Sequence, residues 1–162
     1  MTDADLVAHA WALLETNRYL TLATADPDGR PWASPVYFAP AEPWDFYWVS
    51  ATSARHSRNL AQRPQTSLTV FDSTVEPYHG RAVYAAGEAH VLSGADLDRG
   101  LGSYPGPSRR GATPVTREDV TGSSQYRLYR VTATHVWVLC PRGPRQPCSL
   151  HGLAHDHRVR VA

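Results

Sequence analysis

The sequence contains no lysine, so all 16 of its basic residues are arginines. Any site for an anion must therefore use arginine, histidine or backbone N–H groups. The arginines are nearly balanced by 15 acidic residues, which leaves a formal net charge of +1 at pH 7. A general nucleic-acid-binding domain carries a larger positive excess, so we expect no nucleic-acid partner.

Long apolar runs and cysteines are also scarce. No stretch approaches the ~18 consecutive apolar residues of a membrane span, and the N-terminal residues lack the basic and apolar regions of a signal peptide. The two cysteines are Cys140 and Cys148. With 42% apolar and 19% charged residues among 162, we expect one cytoplasmic domain over residues 1–162, with free thiols and no membrane partner.

Most of the chain has the pattern of short strands. An amphipathic helix is predicted over residues 3–16, and strands are predicted at 19–25, 30–38, 45–50, 66–71, 81–92, 125–131 and 135–139. Gly87 indicates a bulge or a close backbone approach. Residues 102–115, which are rich in glycine and proline, predict a mobile loop. This order of elements predicts a mainly β fold, a small antiparallel barrel with helical decoration.

One helix interrupts the strands, within residues 48–72. Thr52 and Ser53 are suited to cap it, and Pro64 ends it. Positive side chains, hydroxyls and free backbone N–H groups converge at its start, an arrangement suited to a phosphate or another anion. Many helices carry arginine on a solvated face, so the motif gains its weight from its position in a chain that is otherwise nearly all strand.

The order of five segments resembles the pyridoxamine 5'-phosphate oxidase-like FMN-binding split β-barrel family. The segments are the N-terminal helix, YLTLATADPDGRPWASPVYF, FYWVSATSARHSRNLAQRPQTSLTVFD, RAVYAAGEAHVL and YRLYRVTATHVWVL, which cover a core of about residues 5–140. The resemblance implies a six-stranded antiparallel Greek-key split barrel with short flanking helices. It also implies an obligate homodimer with two flavin sites at the interface.

The resemblance further implies which residues contact the flavin. The phosphate lies at the start of the central helix, the segments 33–37 and 48–50 run along the ring, and an aromatic residue of the last strand reaches the ring from the partner subunit. The implied cofactor-binding residues are Ser34, Val36, Trp48, Val49, Ser50, Ser53, Arg55, His56, Ser57, Arg58, Asn59, Arg81 and Trp137. Two of them have a second interpretation, Trp137 as a core aromatic and Arg81 as a surface or dimer-interface ion pair.

Three functions stay open at this point. The first is an FMN-dependent oxidoreductase for a small molecule, with an electron donor such as a nicotinamide and no assignable catalytic residue; RGPRQPCSLHG lacks the substrate-binding arginine pattern of pyridoxamine-phosphate oxidase proper. The second uses the deazaflavin coenzyme F-420, whose acidic tail needs a basic groove to which Arg109 and Arg110 would contribute. The third is a non-catalytic protein that holds flavin or haem.

The C-terminal residues 141–162 form a segment rich in proline, arginine and histidine. Cys140, Cys148, His151, His155 and His157 are residue types that bind metals, and they are spaced C-x7-C-x2-H-x3-H-x-H. That spacing matches no zinc pattern that we can defend. We therefore expect a flexible tail, or a strand with outward histidines, and no bound metal.

Overall fold

The computed structural model describes residues 2–162, with only the backbone of Asp3. Its main element is an eight-stranded antiparallel sheet in the order β2-β1-β5-β6-β7-β4-β3, with β8 paired to β7. The strands are β1 Tyr19–Ala25, β2 Pro31–Tyr37, β3 Ala39–Ala41, β4 Asp45–Ala51, β5 Gln65–Phe71, β6 Ala82–Val91, β7 Tyr126–Leu139 and β8 Arg158–Arg160. The sheet curls into a half-barrel, so that β2 also contacts β4. The predicted mainly β, split-barrel fold is confirmed, and the two strands beyond the predicted six are β3 and β8, of three residues each.

Three α-helices flank the sheet: α1 Asp3–Thr16, α2 Arg55–Gln62 and α3 Gly94–Ser103. Helix α1 begins with a capping box, in which Thr2 and Asp5 each bond the other's backbone N–H. Its apolar face, including Leu6 and Leu14, is fully buried against the sheet. Within residues 2–162 no helix has both the length and the apolar character needed to cross a membrane.

The core follows the alternation of side chains along the strands. On β1, Leu20 and Leu22 point inward, and on β4 the aromatic rings of Phe46 and Trp48 are fully buried. Burying an aromatic side chain of this size stabilises the fold by roughly 2–3 kcal/mol. The core is thus concentrated between α1 and the curled sheet, which leaves the opposite ends of the strands to carry the sites described below.

The prediction of two separate final strands is wrong. Residues 126–139 form one continuous strand, β7. The sequence break near Thr134 is a bulge, because the pairing with β6 shifts there from Ala86↔His135 to Gly87↔Ala133. The backbone approach predicted at Gly87 is confirmed, since a Cβ on this residue would lie 2.4 Å from the carbonyl oxygen of Thr132.

The loop of residues 102–115 is anchored at Arg110, in contrast to the mobile loop that its composition predicts. Arg110 is only 6% exposed. Its guanidinium donates to the hydroxyl oxygen of Tyr37 at 3.3 Å. It donates further to four backbone carbonyl oxygens at 2.7–3.1 Å, those of Leu14, Glu15, Asn17 and Phe38. Three of these carbonyls belong to the C-terminal end of α1, where a cation is stabilised by the helix dipole.

This anchoring also changes the prediction of a basic groove. Arg110 has no hydrogen-bonding group left for a ligand's acidic tail, and the guanidinium of Arg109 lies 3.8 Å from the carboxylate of Glu15. The two arginines that supported the coenzyme F-420 alternative therefore serve the fold of this chain, and that support is lost.

Candidate cofactor site

Helix α2 begins without a side-chain cap. Its N-cap residue is Ala54, and the predicted caps Thr52 and Ser53 lie outside the helix. Thr52 is held elsewhere, because its N–H donates to the carbonyl oxygen of Gln125 at 2.9 Å. The first helical hydrogen bond is donated by Arg58 to the carbonyl of Ala54, at 3.0 Å. The N–H groups of residues 55–57 thus precede the ladder of helical hydrogen bonds and are the donors with which a helix start binds anions.

His56 connects two strands that are not paired with each other. Its Nε2 atom lies 2.8 Å from Ser50 Oγ on β4, and its Nδ1 atom lies 3.2 Å from Ser34 Oγ on β2. Both serines are buried. A serine hydroxyl both donates and accepts, so either neutral tautomer of the imidazole satisfies this arrangement. Burial lowers the pKa of His56 from its ordinary value, which keeps the ring neutral at pH 7.

The next residue of α2 presents an unsatisfied polar atom. Ser57 is 3% exposed, and within the described chain its Oγ atom has no hydrogen-bond partner. A buried hydroxyl without a partner costs on the order of 1–3 kcal/mol, so native proteins usually supply one. Asn59, two residues on, is satisfied, since its amide donates to Thr24 Oγ1 at 3.0 Å. Ser57 is therefore available to a ligand, whereas Asn59 fastens α2 to β1.

The arginines of α2 lie on its exposed side. The guanidinium of Arg55 stacks on the indole ring of Trp32, 4.4 Å from the ring centroid, a cation–π contact that leaves its N–H groups in solvent. The guanidinium of Arg58 donates to the carbonyl oxygen of Ser53. Arg55, Arg58 and Asn59 line a cleft of about 570 Å³ beside α2. The structure thus brings together six of the predicted residues around one helix start: Ser34, Ser50, Arg55, His56, Ser57 and Arg58.

The other predicted residues lie elsewhere in this chain. Trp48 is fully buried and stacked on Tyr129, with ring centroids 5.4 Å apart, so its side chain belongs to the core. Val36 is also buried, and Val49 packs on the smaller cluster beneath α3. Their backbone atoms remain the part that can run along a ligand.

Arg81 and Trp137 lie at the far end of the sheet from α2. Arg81 precedes β6, whereas α2 adjoins the other end of that strand, where the N–H of Ala89 donates to the carbonyl of Pro64. Trp137 pairs with Tyr84 on β6 and stacks on His135, with ring centroids 5.6 Å apart. One chain therefore does not bring either residue to His56. Their predicted cofactor contacts require a second chain and stay predictions.

Two half-buried histidines make the stability of the fold depend on pH. Burial lowers the pKa of His9, with a further contribution from the charge of Arg81, and burial also lowers that of His56. Below pH 6.5, their ordinary value, the unfolded chain binds more protons than the folded one. The free energy of unfolding should therefore be complete above that pH and fall as the pH drops through the folded-state pKa values. Urea denaturation at pH 7.5 and 5.5 measures the difference.

The matched variants for this prediction are His9→Leu and His155→Leu. The first removes a half-buried histidine, and the second removes one that is exposed. We expect His9→Leu to reduce the loss of stability between the two pH values and His155→Leu to leave it unchanged. A loss that is equal in both variants and the unmodified chain would contradict the assignment.

A second cluster of reactive side chains lies at the end of β7. The ligand-type atoms of Cys140, Cys148, His151 and His157 all lie within 4.8 Å of one another. The fifth residue considered in the sequence, His155, is not part of this group. The geometry is at odds with the prediction of no metal site. It could have been found from the sequence only by omitting His155, which gives C-x7-C-x2-H-x5-H.

Comparison with known proteins identifies the origin of this architecture. The family model described as pyridoxamine 5'-phosphate oxidase matches residues 6–140. A pyridoxine/pyridoxamine 5'-phosphate oxidase from Nostoc sp. is 27% identical over 106 residues, which make up 65% of this chain and 48% of that protein. The chain thus spans about half the length of the curated relatives that it matches.

Solved structures share the fold at low sequence identity. A haem-binding protein from Mycobacterium smegmatis is 18% identical with a TM-score of 0.64, and the match covers 98% of this chain and 57% of the other. An FAD-binding protein from the same organism is 19% identical with a TM-score of 0.56, covering 80% and 90%. The structural likeness extends the sequence match, and from the two together the chain belongs to the pyridoxamine 5'-phosphate oxidase-like family.

Proposed function

We propose that this chain binds FMN and is an oxidoreductase acting on a small molecule. The observation that carries the proposal is the uncapped start of α2, where free N–H groups, the unsatisfied Ser57 hydroxyl and the cation of Arg55 surround one position. A phosphate monoester needs this combination of donors and positive charge. The bound FMN would supply the electron-transfer chemistry, and the protein would supply its binding and orientation.

Each residue of the helix start has a distinct role in this proposal. The N–H groups of residues 55–57 and the Ser57 hydroxyl donate to the phosphate oxygens. Arg55 leaves or retains its stack on Trp32 and adds a charge-assisted bond. His56, held by Ser34 and Ser50, fixes the gap between β2 and β4. A ring nitrogen of His56 that turns toward the phosphate replaces the lysine that this chain lacks.

We further propose that the active unit is a homodimer. Within one chain Trp137 lies at the opposite end of the sheet from α2, so a flavin anchored at α2 can meet such an aromatic ring only from a second copy. Light scattering of the purified protein tests this: a dimer is expected, and a monomer that still binds FMN with full affinity would contradict it.

Removing the phosphate donors should weaken FMN binding strongly. Arg55→Ala and His56→Gln are each expected to raise the Kd for FMN by about 10- to 100-fold, since a hydrogen bond to a charged group contributes roughly 1.5–3 kcal/mol. Quenching of flavin fluorescence during titration measures the Kd. Riboflavin, which lacks the phosphate, should bind the unmodified chain and both variants with equal, weak affinity.

Arg99→Ala is the matched control for this series, because Arg99 is an exposed arginine of α3 paired with Asp96. Its affinity for FMN should equal that of the unmodified chain. A chain that binds no FMN, or Arg55 and His56 variants that bind as tightly as the Arg99 variant, would overturn the proposed phosphate site.

Haem or flavin binding without catalysis is the second candidate. It is supported by the similarity of the fold to the haem-binding protein of Mycobacterium smegmatis. The absorbance spectrum of the purified protein separates the candidates: a Soret band favours haem, and oxidised flavin bands favour FMN. Rapid bleaching of bound FMN by a nicotinamide would support the oxidoreductase, whereas bound flavin that no reductant turns over would support a carrier.

A further inference from the structure

We propose that Cys140, Cys148, His151 and His157 bind one zinc ion in a closed tetrahedral site. These four residues offer two thiolates and two imidazoles, the ligand set of many structural zinc sites. Three of them lie beyond the segment that the family model matches, which ends at residue 140. The site is therefore a property of this chain's C-terminal segment and independent of the proposed flavin function.

The distances between the ligand atoms match those around a tetrahedral zinc ion. With Zn–S of about 2.3 Å and Zn–N of about 2.05 Å, tetrahedral angles place S and N atoms ~3.6 Å apart and two N atoms ~3.3 Å apart. Three S···N separations are each 3.6 Å, from Cys140 and Cys148 to His151 Nδ1 and from Cys148 to His157 Nε2. The two imidazole nitrogens are 3.1 Å apart. Four atoms around a common centre thus already have the required spacing.

Hydrogen bonds alone do not account for this arrangement. His151 Nδ1 faces three polar atoms at once: the sulfurs of Cys140 and Cys148 and the Nε2 atom of His157. A ring nitrogen has one lone pair or one hydrogen, so it can satisfy only one of these neighbours well. A cation at the centre satisfies all four ligand atoms, because each then directs its lone pair inward.

The groups around the cluster orient it for a metal. His157 Nδ1 lies 3.0 Å from the backbone carbonyl oxygen of His155, which requires the proton on Nδ1 and leaves the lone pair of Nε2 facing the cluster. The backbone N–H of His151 donates to the sulfur of Cys148 at 3.2 Å. N–H donors of this kind stabilise a thiolate that ligates a metal.

The place of the cluster in the sheet indicates a structural role. Cys140 follows β7 directly and His157 precedes β8, and the N–H of Cys140 donates to the carbonyl of His157 at 3.0 Å. The intervening loop is tied at a second point, where the guanidinium of Arg142 contacts the carboxylate of Asp156 at 2.7 Å. Four protein ligands leave no open position for substrate. The ion would therefore clamp β8 against the edge of β7 beside Trp137.

Zinc is the ion that this ligand set favours. Thiolates and imidazoles select soft or borderline ions, and a tetrahedral S₂N₂ geometry is typical of Zn²⁺. Calcium and magnesium require oxygen ligands and larger coordination numbers.

The test is the metal content of the full chain. Protein purified without chelator is expected to carry about one zinc per chain by mass spectrometry of the metal. Zinc-depleted protein loaded with Co²⁺ should show the intense visible bands of tetrahedral cobalt and a sulfur-to-cobalt charge-transfer band. A chain that takes up neither ion, or one in which Cys140 and Cys148 form a disulfide under reducing purification, would overturn the proposal.

Matched variants separate a metal site from a merely well-packed cluster. Cys148→Ser and His157→Gln should raise the Kd for zinc by more than about 100-fold, since loss of even an indirect contact costs 10- to 100-fold. His155→Gln should bind normally, because its contribution is a backbone carbonyl. His157→Cys should retain cobalt and intensify the charge-transfer band. Equal zinc affinity in Cys148→Ser and His155→Gln would contradict the assignment of ligands.

Stability provides a readout that does not depend on loading the metal. Chelation should lower the Tm of the unmodified chain and leave the Tm of Cys148→Ser unchanged, since binding to the folded state alone adds to its stability. If chelation lowers both equally, the effect comes from another site and the proposal fails.

Discussion

Replacing Arg110 by alanine is expected to lower the free energy of unfolding by about 3–5 kcal/mol. The substitution removes the donors of four backbone carbonyls, three of them at the end of α1, and the chain is closely packed there. Each buried carbonyl left without a donor costs roughly 1–3 kcal/mol, reduced where water can enter. Urea denaturation followed by far- and near-ultraviolet circular dichroism measures the loss with two independent probes.

Two variants make this expectation specific. Arg110→Lys keeps the charge but offers one ammonium in place of a planar fork, so it should recover only part of the stability. Arg109→Ala removes the neighbouring arginine, which is exposed and lies 3.8 Å from Glu15, and should change stability by less than about 0.5 kcal/mol. Equal losses at the two positions would show that the hydrogen bonds of Arg110 do not hold the loop.

A methyl group at Gly87 is expected to cost about 3 kcal/mol or more. The Cβ of Gly87→Ala would lie 2.4 Å from the carbonyl oxygen of Thr132 and 3.1 Å from the Cα atom of Ala133. Both atoms belong to the backbone of β7, so no side chain can rotate away. Relief requires β6 and β7 to separate at the bulge, which weakens the longest pairing of the sheet. Thermal and chemical denaturation should both report the loss.

Gly102 provides the control for this substitution. It lies in α3, and a Cβ there would meet no atom within 4 Å. Gly102→Ala should stabilise the chain by up to about 1 kcal/mol, because alanine has the higher helix propensity. If Gly87→Ala is as well tolerated as Gly102→Ala, the close approach of β6 and β7 does not restrict position 87.

The elements that the sequence predicts correctly are those that depend on local pattern. The alternation in residues 19–25 and 66–71 and the helical periodicity of residues 3–16 place β1, β5 and α1 to within a residue or two. The continuity of β7 escapes prediction because Thr134 interrupts the alternation, and only pairing with β6 shows that the interruption is a bulge. Likewise, glycine and proline content describes loop 102–115 locally but contains no sign that Arg110 reaches α1.

The candidate site follows the same division. Arg55, His56 and Ser57 are adjacent in sequence, so the helix start predicts them together. The bonds from His56 to Ser34 and Ser50 depend on the curl of the sheet, and no spacing in the sequence encodes that curl. Residue type favours Thr52 or Ser53 as the cap, whereas the helix begins after Ala54 because Thr52 is engaged by Gln125. The cysteine–histidine cluster escapes prediction because an irregular loop, and no helix or strand, brings its members together.

The place of β7 between β4 and β6 bears on how the chain is synthesised. β4 carries the run Phe46, Tyr47, Trp48 and Val49, and one of its edges pairs with β7 residues that lie about 80 positions later. At a translation rate of 5–20 residues per second, that edge waits roughly 4 to 16 s for its partner to emerge from the ribosome. An unpaired aromatic strand edge is a template for aggregation. The nascent chain is therefore expected to depend on chaperones that hold unfolded segments, and its soluble yield should rise when translation is fast relative to aggregation.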